Sequence, residues 1–286
     1  MLPPNQQTVL VTGATDGIGR AVAARLAQLG ARVLLHGRDR DRLDETAEEM
    51  HRLTGTTSAE TLCADLSSLA AVDALADEVH RRTDHLHLLL SNAGVGFGPP
   101  GGEREISDDG YELRFAVNHL ASHHLARRLV PLLRAGVPSR IVQVASIGQE
   151  ALDPDDLLTE RDWSGVRAYR RSKLAQVMSV LDLADELRGE GVVVHALHPA
   201  TLMDTTMVRE ADQEPRSTLE EGLTATVRAV LDPTLDEATG LFLDGPHAST
   251  ASMHDQVGDP GIRELLRRRT AELIGAALDR DAAPTT

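Results

Sequence analysis

Tyr169 and Lys173 stand four positions apart. If residues 168–187 form a helix, the two side chains lie one turn apart on the same face. A free tyrosine titrates near pH ~10 and is a poor acid or base at neutrality. A neighbouring ammonium favours the phenolate and lowers the phenol pKa toward the working range. The spacing predicts an acid/base pair, but it also arises by chance on surface helices, so other parts of the chain must support it.

A glycine-rich loop follows the first apolar run of the chain. Residues 8–12 predict a strand, Gly13, Gly17 and Gly19 follow it, and a helical pattern then ends at Gly30. Strand, glycine loop and helix in this order are the context in which dinucleotides bind. Gly13 would make the tight turn, Gly17 would let backbone approach a pyrophosphate, and Gly19 would allow close helix packing. N–H groups at the helix start attract phosphates, so the sequence predicts a nucleotide site here.

The end of the second predicted strand, residues 32–36, bears on the choice of cofactor. NAD-selecting enzymes usually place an acidic residue there to bond the ribose hydroxyls. This chain instead has Arg38 after Gly37, and a guanidinium suits a 2′-phosphate. NADP(H) is therefore favoured over NAD(H). Asp39 and Asp41 complicate the choice, because carboxylates beside Arg38 disfavour a phosphate. Their side chains could instead point away from the site or pair with Arg40 and Arg42.

Further strands and helices alternate along the chain, and the strand ends carry polar or small residues. Asp65, which follows the third strand, would accept from an adenine amino group or cap the next helix. Ligands on open parallel sheets bind beyond the carboxyl ends of the strands, so these ends should converge on one crevice. The predicted fold class is α/β, a single Rossmann-fold domain whose doubly wound parallel sheet has about seven strands, with helices on both faces. The later strands are predicted at residues 61–64, 86–90, 140–145, 192–197 and 240–243.

The domain bounds follow from the same pattern. Residues 200–222 are predicted to form a lid over substrate, the alternative being a plain surface connection. The predicted bounds are a lead-in at 1–7, a catalytic domain at 8–277 and a tail at 278–286, of which 282–286 look loose.

Two segments near the site have distinctive composition. Residues 94–102 carry five glycines and two prolines and predict a mobile loop beside the site. Residues 108–134 predict a long helix, which Pro131 should end or kink. His119 and His123 share one face of that helix, and we expect a solvated or interface face because no acidic partner completes a metalloprotease signature. No metal site is predicted.

The composition excludes several classes of function. The chain has 286 residues, of which 41% are hydrophobic and 26% charged, enough for a full core. Its net charge of −15 argues against nucleic acid or anionic membrane as partner. No run approaches the ~20 apolar residues of a membrane span and no signal peptide is evident, so we expect a cytoplasmic protein. A single cysteine, Cys63, suits a reducing compartment, and its setting predicts a buried strand residue.

These features together resemble the short-chain dehydrogenase/reductase family over residues 8–275. Within the family the chain looks closest to the retinol-dehydrogenase-like branch, on the evidence of Val117-Asn118-His119-Leu120, Asp155-Asp156-Leu157, Ser172-Lys173-Leu174-Ala175 and His198-Pro199. The family features, in chain order, are Thr12-Gly13-x-x-x-Gly17-Ile18-Gly19, Asn92-Ala93-Gly94, Asn118, Ser146 and Tyr169-x-x-x-Lys173.

The resemblance implies a role for each catalytic position. Tyr169 would be the general acid/base toward a carbonyl or alcohol, and Ser146 would hold the same oxygen. Lys173 would lower the tyrosine pKa and hold the nicotinamide ribose, while Asn118 would support a water that relays protons. Leu202 would contact the nicotinamide amide through backbone. The cofactor-binding set expected from motif and resemblance is Gly13, Thr15, Asp16, Gly17, Ile18, Gly19, Arg38, Asp65, Leu66, Asn92, Ala93, Gly94, Tyr169, Lys173, Pro199, Leu202 and Thr205.

The chain departs from the family pattern at three positions. Ser91 replaces an asparagine, and Ala200 replaces a glycine, which should adjust the pocket while keeping it small. Asp16 stands where many NADP-preferring members have a basic residue, which tempers the choice of NADP. The resemblance also allows a homo-oligomer that pairs through the Tyr169 helix and the helix before it.

Two other functions are compatible with parts of the pattern. An epimerase/dehydratase-type member would share Tyr169 and Lys173, but its glycine loop usually has two residues between the first two glycines, and this chain has three. A non-catalytic NADP(H) sensor would keep the fold, but such proteins commonly lose the tyrosine or the lysine. The retained residues therefore favour an oxidoreductase acting on a small-molecule carbonyl or alcohol.

Overall fold

One mostly parallel sheet organises the chain. The computed structural model describes residues 1–55 and 59–282, with side chains to residue 280. Within these residues eight strands lie in the order β3-β2-β1-β4-β5-β6-β7-β8, and every neighbouring pair is parallel except β7 and β8. The strands are β1 Thr8–Thr12, β2 Arg32–Gly37, β3 Ala59–Cys63, β4 Leu88–Ser91, β5 Ser139–Val144, β6 Val192–His198, β7 Leu241–Asp244 and β8 Ser249–Thr250.

Helices cover both faces of the sheet. Neighbouring residues of the central strands point to opposite faces, so Leu10 and Ile141 pack among the helices α3, α4 and α5, whereas Val9 and Val142 pack against α1 and α7. Burial on both faces explains the continuous apolar runs of these strands. The helices are α1 Gly17–Gln28, α2 Arg40–Thr54, α3 Leu69–Arg82, α4 Ser122–Ala135, α5 Gly165–Glu186, α6 Thr206–Glu210, α7 Leu219–Leu231 and α8 Pro260–Ala282.

The α/β Rossmann fold class is confirmed, with an eighth, antiparallel strand that the sequence analysis did not include. The predicted helix at residues 108–134 differs in detail, because a π-helical turn at Phe115–Ala121 precedes α4. Pro131 lacks the N–H that would bond to the preceding turn. The helix nevertheless continues past it to Ala135. At the end of the chain α8 runs to Ala282, beyond the predicted domain end at 277, and residues 283–286 lie outside the described residues.

Two predictions of side-chain environment were wrong. Cys63 is exposed, because β3 is the edge strand of the sheet and leaves this last residue uncovered. His119 is fully buried, because α8 packs over its helix and Thr270 Oγ1 lies 2.8 Å from its Nε2. In residues 1–55 and 59–282, no group of three or more His, Cys, Asp or Glu side chains could hold a metal ion. No helix in the same ranges is long and apolar enough to cross a membrane.

Candidate active site

The loop between β1 and α1 is a tight cradle at the carboxyl end of the sheet. Gly13 has φ +64°, a left-handed conformation that glycine adopts without strain. Asn92 fastens this loop to the end of β4, because its Nδ2 donates to Thr12 O at 2.9 Å and to Gly13 O at 3.2 Å. A Cβ atom at Gly19 would lie 2.1 Å from Gly13 O. The backbone is therefore packed as closely as a dinucleotide loop requires, and the cradle fits a pyrophosphate at the start of α1.

Asp16 connects this cradle to two other elements. Its carboxylate caps α1 by accepting from Gly17 N at 2.7 Å, and it pairs with Arg42 of α2 at 3.3 Å. Thr206 of α6 donates its hydroxyl to the same carboxylate at 2.9 Å. Burial alone would raise the pKa of Asp16, but the bonds from Thr206, Gly17 and Arg42 outweigh burial and hold that pKa below its usual value.

A cavity of about 490 Å³ opens beside the ends of β2 and β3, lined by Arg38, Asp39, Arg40, Asp41 and Asp65. Asp39 turns toward its own helix, where Oδ1 accepts from Arg42 N at 3.1 Å and caps α2. The predicted helix-capping alternative for Asp65 was wrong, because Ser68 caps α3 and Asp65 accepts from Ser67 N within its own turn. Arg38 is exposed at the cavity.

Tyr169 and Lys173 both lie on α5, and both are buried. The Lys173 amine lies 5.6 Å from the centroid of the Tyr169 ring. Its Nζ donates to Val144 O at 2.8 Å and to Gln176 Oε1 at 3.1 Å. Burial lowers the pKa of Lys173 to about 7 despite these two acceptors, because transfer out of water penalises the charged form. The amine is thus poised between its two protonation states near neutral pH.

The titration of Lys173 leads to a testable pH dependence of stability. In the unfolded chain the amine has its usual pKa of 10.5, so between pH 7 and 10 the unfolded state binds more protons than the folded state. Stability should therefore rise with pH in this window, by at most about 1.4 kcal/mol per pH unit for one proton. Urea unfolding at pH 8, 8.5 and 9 measures the slope above the range in which the buried histidines take up protons on unfolding. The slope should be much smaller in Lys173→Met, and an equal slope in both proteins would contradict the assignment.

The same prediction has a direct spectroscopic check. Lys173 is the single lysine of the sequence, so lysine labelled with ¹³C at Cε gives one side-chain signal. We expect its titration midpoint near 7 in the folded protein and near 10.5 in urea.

Ser146 and Tyr169 come together from β5 and α5. A hydrogen bond with Ser146 lowers the pKa of Tyr169, but burial of the ring raises it more, so the phenol pKa lies above its ordinary value of 10.0. The direction is opposite to the lowering that was predicted from Lys173, because burial of the phenol has the larger effect. The Ser146 Oγ also accepts from Gly148 N at 3.0 Å, which fixes the hydroxyl at the end of β5. The Tyr169 and Ser146 hydroxyls are therefore hydrogen-bonded to each other and can bond to the same substrate oxygen.

Asn118 lies in the π-helical turn and holds the loop at residues 94–102. Its Oδ1 accepts from Val95 N at 2.7 Å, and its Nδ2 donates to Val95 O at 3.0 Å and to Ser172 Oγ at 2.9 Å. The polar atoms of this side chain are therefore all committed to partners within the protein. A Cβ atom at Gly94 would lie 3.1 Å from Asn118 Oδ1 and 3.7 Å from Lys173 Nζ. The loop predicted to be mobile is thus tethered to the site through its first residues.

The segment after β6 reaches across the crevice. Pro199 and Ala200 are buried, and Leu202 has a left-handed φ of +44°, which is unusual for a branched side chain. Thr205 approaches the cradle, since a Cβ atom at Gly17 would lie 3.5 Å from its methyl group. Met207 packs so closely on Gly96 that a Cβ atom there would lie 2.4 Å from its Cγ. Residues 202–207 therefore span from the glycine cradle to the tethered loop, as a lid would.

The predicted positions that surround this crevice at the carboxyl edge of the sheet include Thr15 and Ile18 of the cradle, Leu66 after β3 and Ala93 after β4. Sequence reasoning missed several side chains that hold these positions in place. Thr12 Oγ1 accepts from Asn92 N at 2.9 Å and from Ala93 N at 3.0 Å. Gln176 was also missed, although a polar residue inside the apolar pattern of α5 is a usable signal.

Comparison with known proteins agrees with this geometry. The family model described as short chain dehydrogenase matches residues 7–216. The chain belongs to the short chain dehydrogenase family. It falls in the retinol-dehydrogenase-like branch, as its resemblance to retinol dehydrogenases predicted. Retinol dehydrogenase 14 from Homo sapiens is 38% identical over 208 residues, which cover 68% of this chain and 61% of that relative. The match thus spans about three fifths of that dehydrogenase.

Two other proteins extend the comparison. Polyprenol dehydrogenase from Mus musculus is 34% identical over 292 aligned residues, covering 95% of this chain and 84% of that relative. A short chain dehydrogenase from Escherichia coli CFT073, solved in complex with NADPH, is 26% identical with a TM-score of 0.69, covering 84% of this chain and 97% of that one. These matches support a dehydrogenase/reductase.

Proposed function

We propose that the chain is an NADP(H)-dependent oxidoreductase that interconverts a small-molecule carbonyl and the corresponding primary or secondary alcohol. The observation that carries the proposal is the cluster of half-buried Ser146 with buried Tyr169 and Lys173 next to the glycine cradle. An acid/base group, an oxygen-binding hydroxyl and a dinucleotide loop in one crevice are the parts that reversible hydride transfer requires.

The bound nicotinamide would supply or accept the hydride. In the reductive direction Tyr169 donates its phenolic proton to the carbonyl oxygen, and in the oxidative direction it takes the proton back. Ser146 bonds the same oxygen and orients it toward the phenol. After a reduction, Lys173, whose pKa lies near 7, returns a proton to the Tyr169 phenolate near neutral pH. The Asn118 backbone and a water would connect that amine to solvent.

A 2′-phosphate fits the cavity beside β2 because Arg38 is exposed there while Asp39 is occupied in capping α2. A free guanidinium can bind a phosphate with two parallel hydrogen bonds. Asp16 does not oppose this choice strongly, since its carboxylate is satisfied by Gly17, Arg42 and Thr206. These contacts support NADP(H) over NAD(H).

Arg38→Leu should weaken NADPH much more than NADH. A charged hydrogen bond is worth about 1.5–3 kcal/mol, so we expect KM for NADPH to rise roughly 10- to 100-fold, and KM for NADH to change less than about 3-fold. Steady-state kinetics with both cofactors measures the difference. Arg52→Leu, near the far end of α2, is the matched control. Equal losses with both cofactors would contradict recognition of the 2′-phosphate by Arg38.

The reaction class is tested by following NADPH absorbance against a panel of ketones, aldehydes and quinones. Turnover on any of them supports the proposal. Binding of NADPH with no turnover across the panel would favour a sensor instead.

We further propose that the protein acts in the cytoplasm, without membrane or nucleic acid partners. The net charge of −15 supports the absence of nucleic acid. Any homo-oligomer would pair through α4 and α5.

A further inference from the structure

The ring of Phe97 packs against the ring of Tyr169. The ring centroids lie 4.5 Å apart at an interplanar angle of 76°, which is an edge-to-face contact. The Lys173 amine lies 5.6 Å from the centroid of the same ring. The Tyr169 ring thus has one aromatic ring and one amine as neighbours. Phe97 belongs to the tethered loop, so whatever fixes that loop also fixes the Tyr169 ring.

Arg114 binds this loop at Gly96 and at Phe97 itself. Its side chain is 1% exposed, and its guanidinium donates from Nε to Gly96 O at 2.8 Å and from Nη2 to Phe97 O at 3.2 Å. The same group pairs with Glu112 at 3.2 Å and with Glu105 at 2.8 Å. Only a planar, forked cation can bind two successive backbone carbonyls and two carboxylates at once.

Glu112 completes the anchor and is itself buried. Its Oε2 accepts from Phe115 N at 2.8 Å, where the π-helical turn that carries Asn118 begins. Trp163 Nε1 lies 3.4 Å from Glu112 Oε1, and the indole ring lies 5.4 Å from Arg114 Cζ. A buried pair with these extra bonds is held in one geometry, because any other would leave a charge unpaired.

The fit between the loop and α5 leaves no room for adjustment. A Cβ atom at Gly165 would lie 1.8 Å from Phe97 O, and one at Gly98 would lie 2.7 Å from Arg114 Nη2. Gly165 is the first residue of α5, the helix that presents Tyr169. The loop backbone therefore lies directly on the first turn of the catalytic helix.

We propose that Arg114, paired with Glu112, is a positioning residue that holds Phe97 against Tyr169 and so orients the phenol toward Ser146. The inference deepens the function proposed above and rests on it. It assigns to this buried ion pair a part in turnover and not only in stability.

Phe97→Leu removes the aromatic edge, and Arg114→Lys keeps the charge opposite Glu112 while losing the fork. Both should lower kcat by roughly 3- to 10-fold, the size expected for one lost aromatic contact, with the Kd for NADPH changed less than about 2-fold. Arg140→Met is the control, because Arg140 is equally buried and bonds Ala229 O and Asp236, away from Tyr169. It should lower the unfolding midpoint and leave kcat per folded molecule unchanged.

A second readout does not need turnover. The sequence contains two tyrosines, so tyrosine labelled with ¹³C at Cζ gives two signals, and Tyr169→Phe identifies the one from Tyr169. Phe97→Leu and Arg114→Lys should shift that signal, and Arg140→Met should not. An unmoved Tyr169 signal in Phe97→Leu would overturn the positioning role, even if wild-type protein turned over no substrate. A shifted signal with unchanged kcat in an active enzyme would overturn it equally.

Discussion

Tyr169→Phe should lose nearly all turnover while retaining NADP(H) binding. The substitution removes one hydroxyl and keeps the ring, so the contacts with Phe97 and Lys173 persist. Without the phenol no acid remains beside the carbonyl oxygen, because the Ser146 hydroxyl is too weak an acid to protonate it. Groups that transfer protons typically contribute ~10²–10⁴-fold, and we expect kcat to fall by that amount. Steady-state assays of NADPH oxidation measure kcat, and fluorescence titration measures NADPH affinity.

The other tyrosine of the chain provides a matched control. Tyr111 is buried to a similar degree, and its hydroxyl donates to Leu273 O at 2.9 Å and accepts from Arg280 Nη2 at 3.3 Å, so Tyr111→Phe also removes the hydrogen bonds of a buried tyrosine. That variant should lose some stability, about 0.5–1.5 kcal/mol, and keep its kcat. Unchanged turnover in Tyr169→Phe would refute the acid/base assignment, whereas equal losses in both variants would indicate a general effect of losing a buried hydroxyl.

Gly19→Ala should abolish NADPH binding at ordinary concentrations. The added methyl group would lie 2.1 Å from Gly13 O and 2.4 Å from Asn92 Nδ2, and neither neighbour can retreat without breaking the bonds that fasten the cradle. We expect the Kd for NADPH to rise more than about 100-fold, and the protein to lose about 1–3 kcal/mol of stability from overpacking. Calorimetric titration and urea unfolding measure the two effects.

Gly275→Ala is the control for this substitution. Gly275 lies within α8, and nothing lies within 4 Å of the position its Cβ would take. Alanine in a helix interior is more favourable than glycine by roughly 0.5–1 kcal/mol, so this variant should gain stability and bind NADPH normally. Wild-type affinity in Gly19→Ala would mean that the cradle is looser than its contacts indicate, and that the cofactor lies elsewhere.

The sequence predicts the parts of this protein that depend on local pattern. Apolar runs such as residues 8–12 predict buried parallel strands, because burial on both faces requires continuous hydrophobicity. Gly13, Gly17 and Gly19 predict the dinucleotide loop, because the first two take a left-handed backbone and the third leaves room for Gly13 O.

Predictions that depend on packing between distant elements were weaker. His119 was placed on an outer face because nothing near it in sequence reveals that α8, about 150 positions later, covers it. Cys63 was placed in the core because the sequence of β3 does not state that the strand lies at the edge of the sheet. The contacts that fasten the start of the loop at residues 94–102 could not be read from its composition, because Asn118 and Arg114 belong to a later part of the chain.

The sequence by itself therefore determined the fold class, the family and which side chains could do chemistry, because these depend on residue type and spacing along the chain. The tertiary structure decided their electrostatic state. Burial holds the Lys173 pKa near 7 and raises that of Tyr169, opposite to what an exposed pair on one helix face would give. It also decided what holds the phenol in place. Phe97 contacts Tyr169 from a loop more than 50 positions upstream, Arg114 holds that loop, and only folding brings them together.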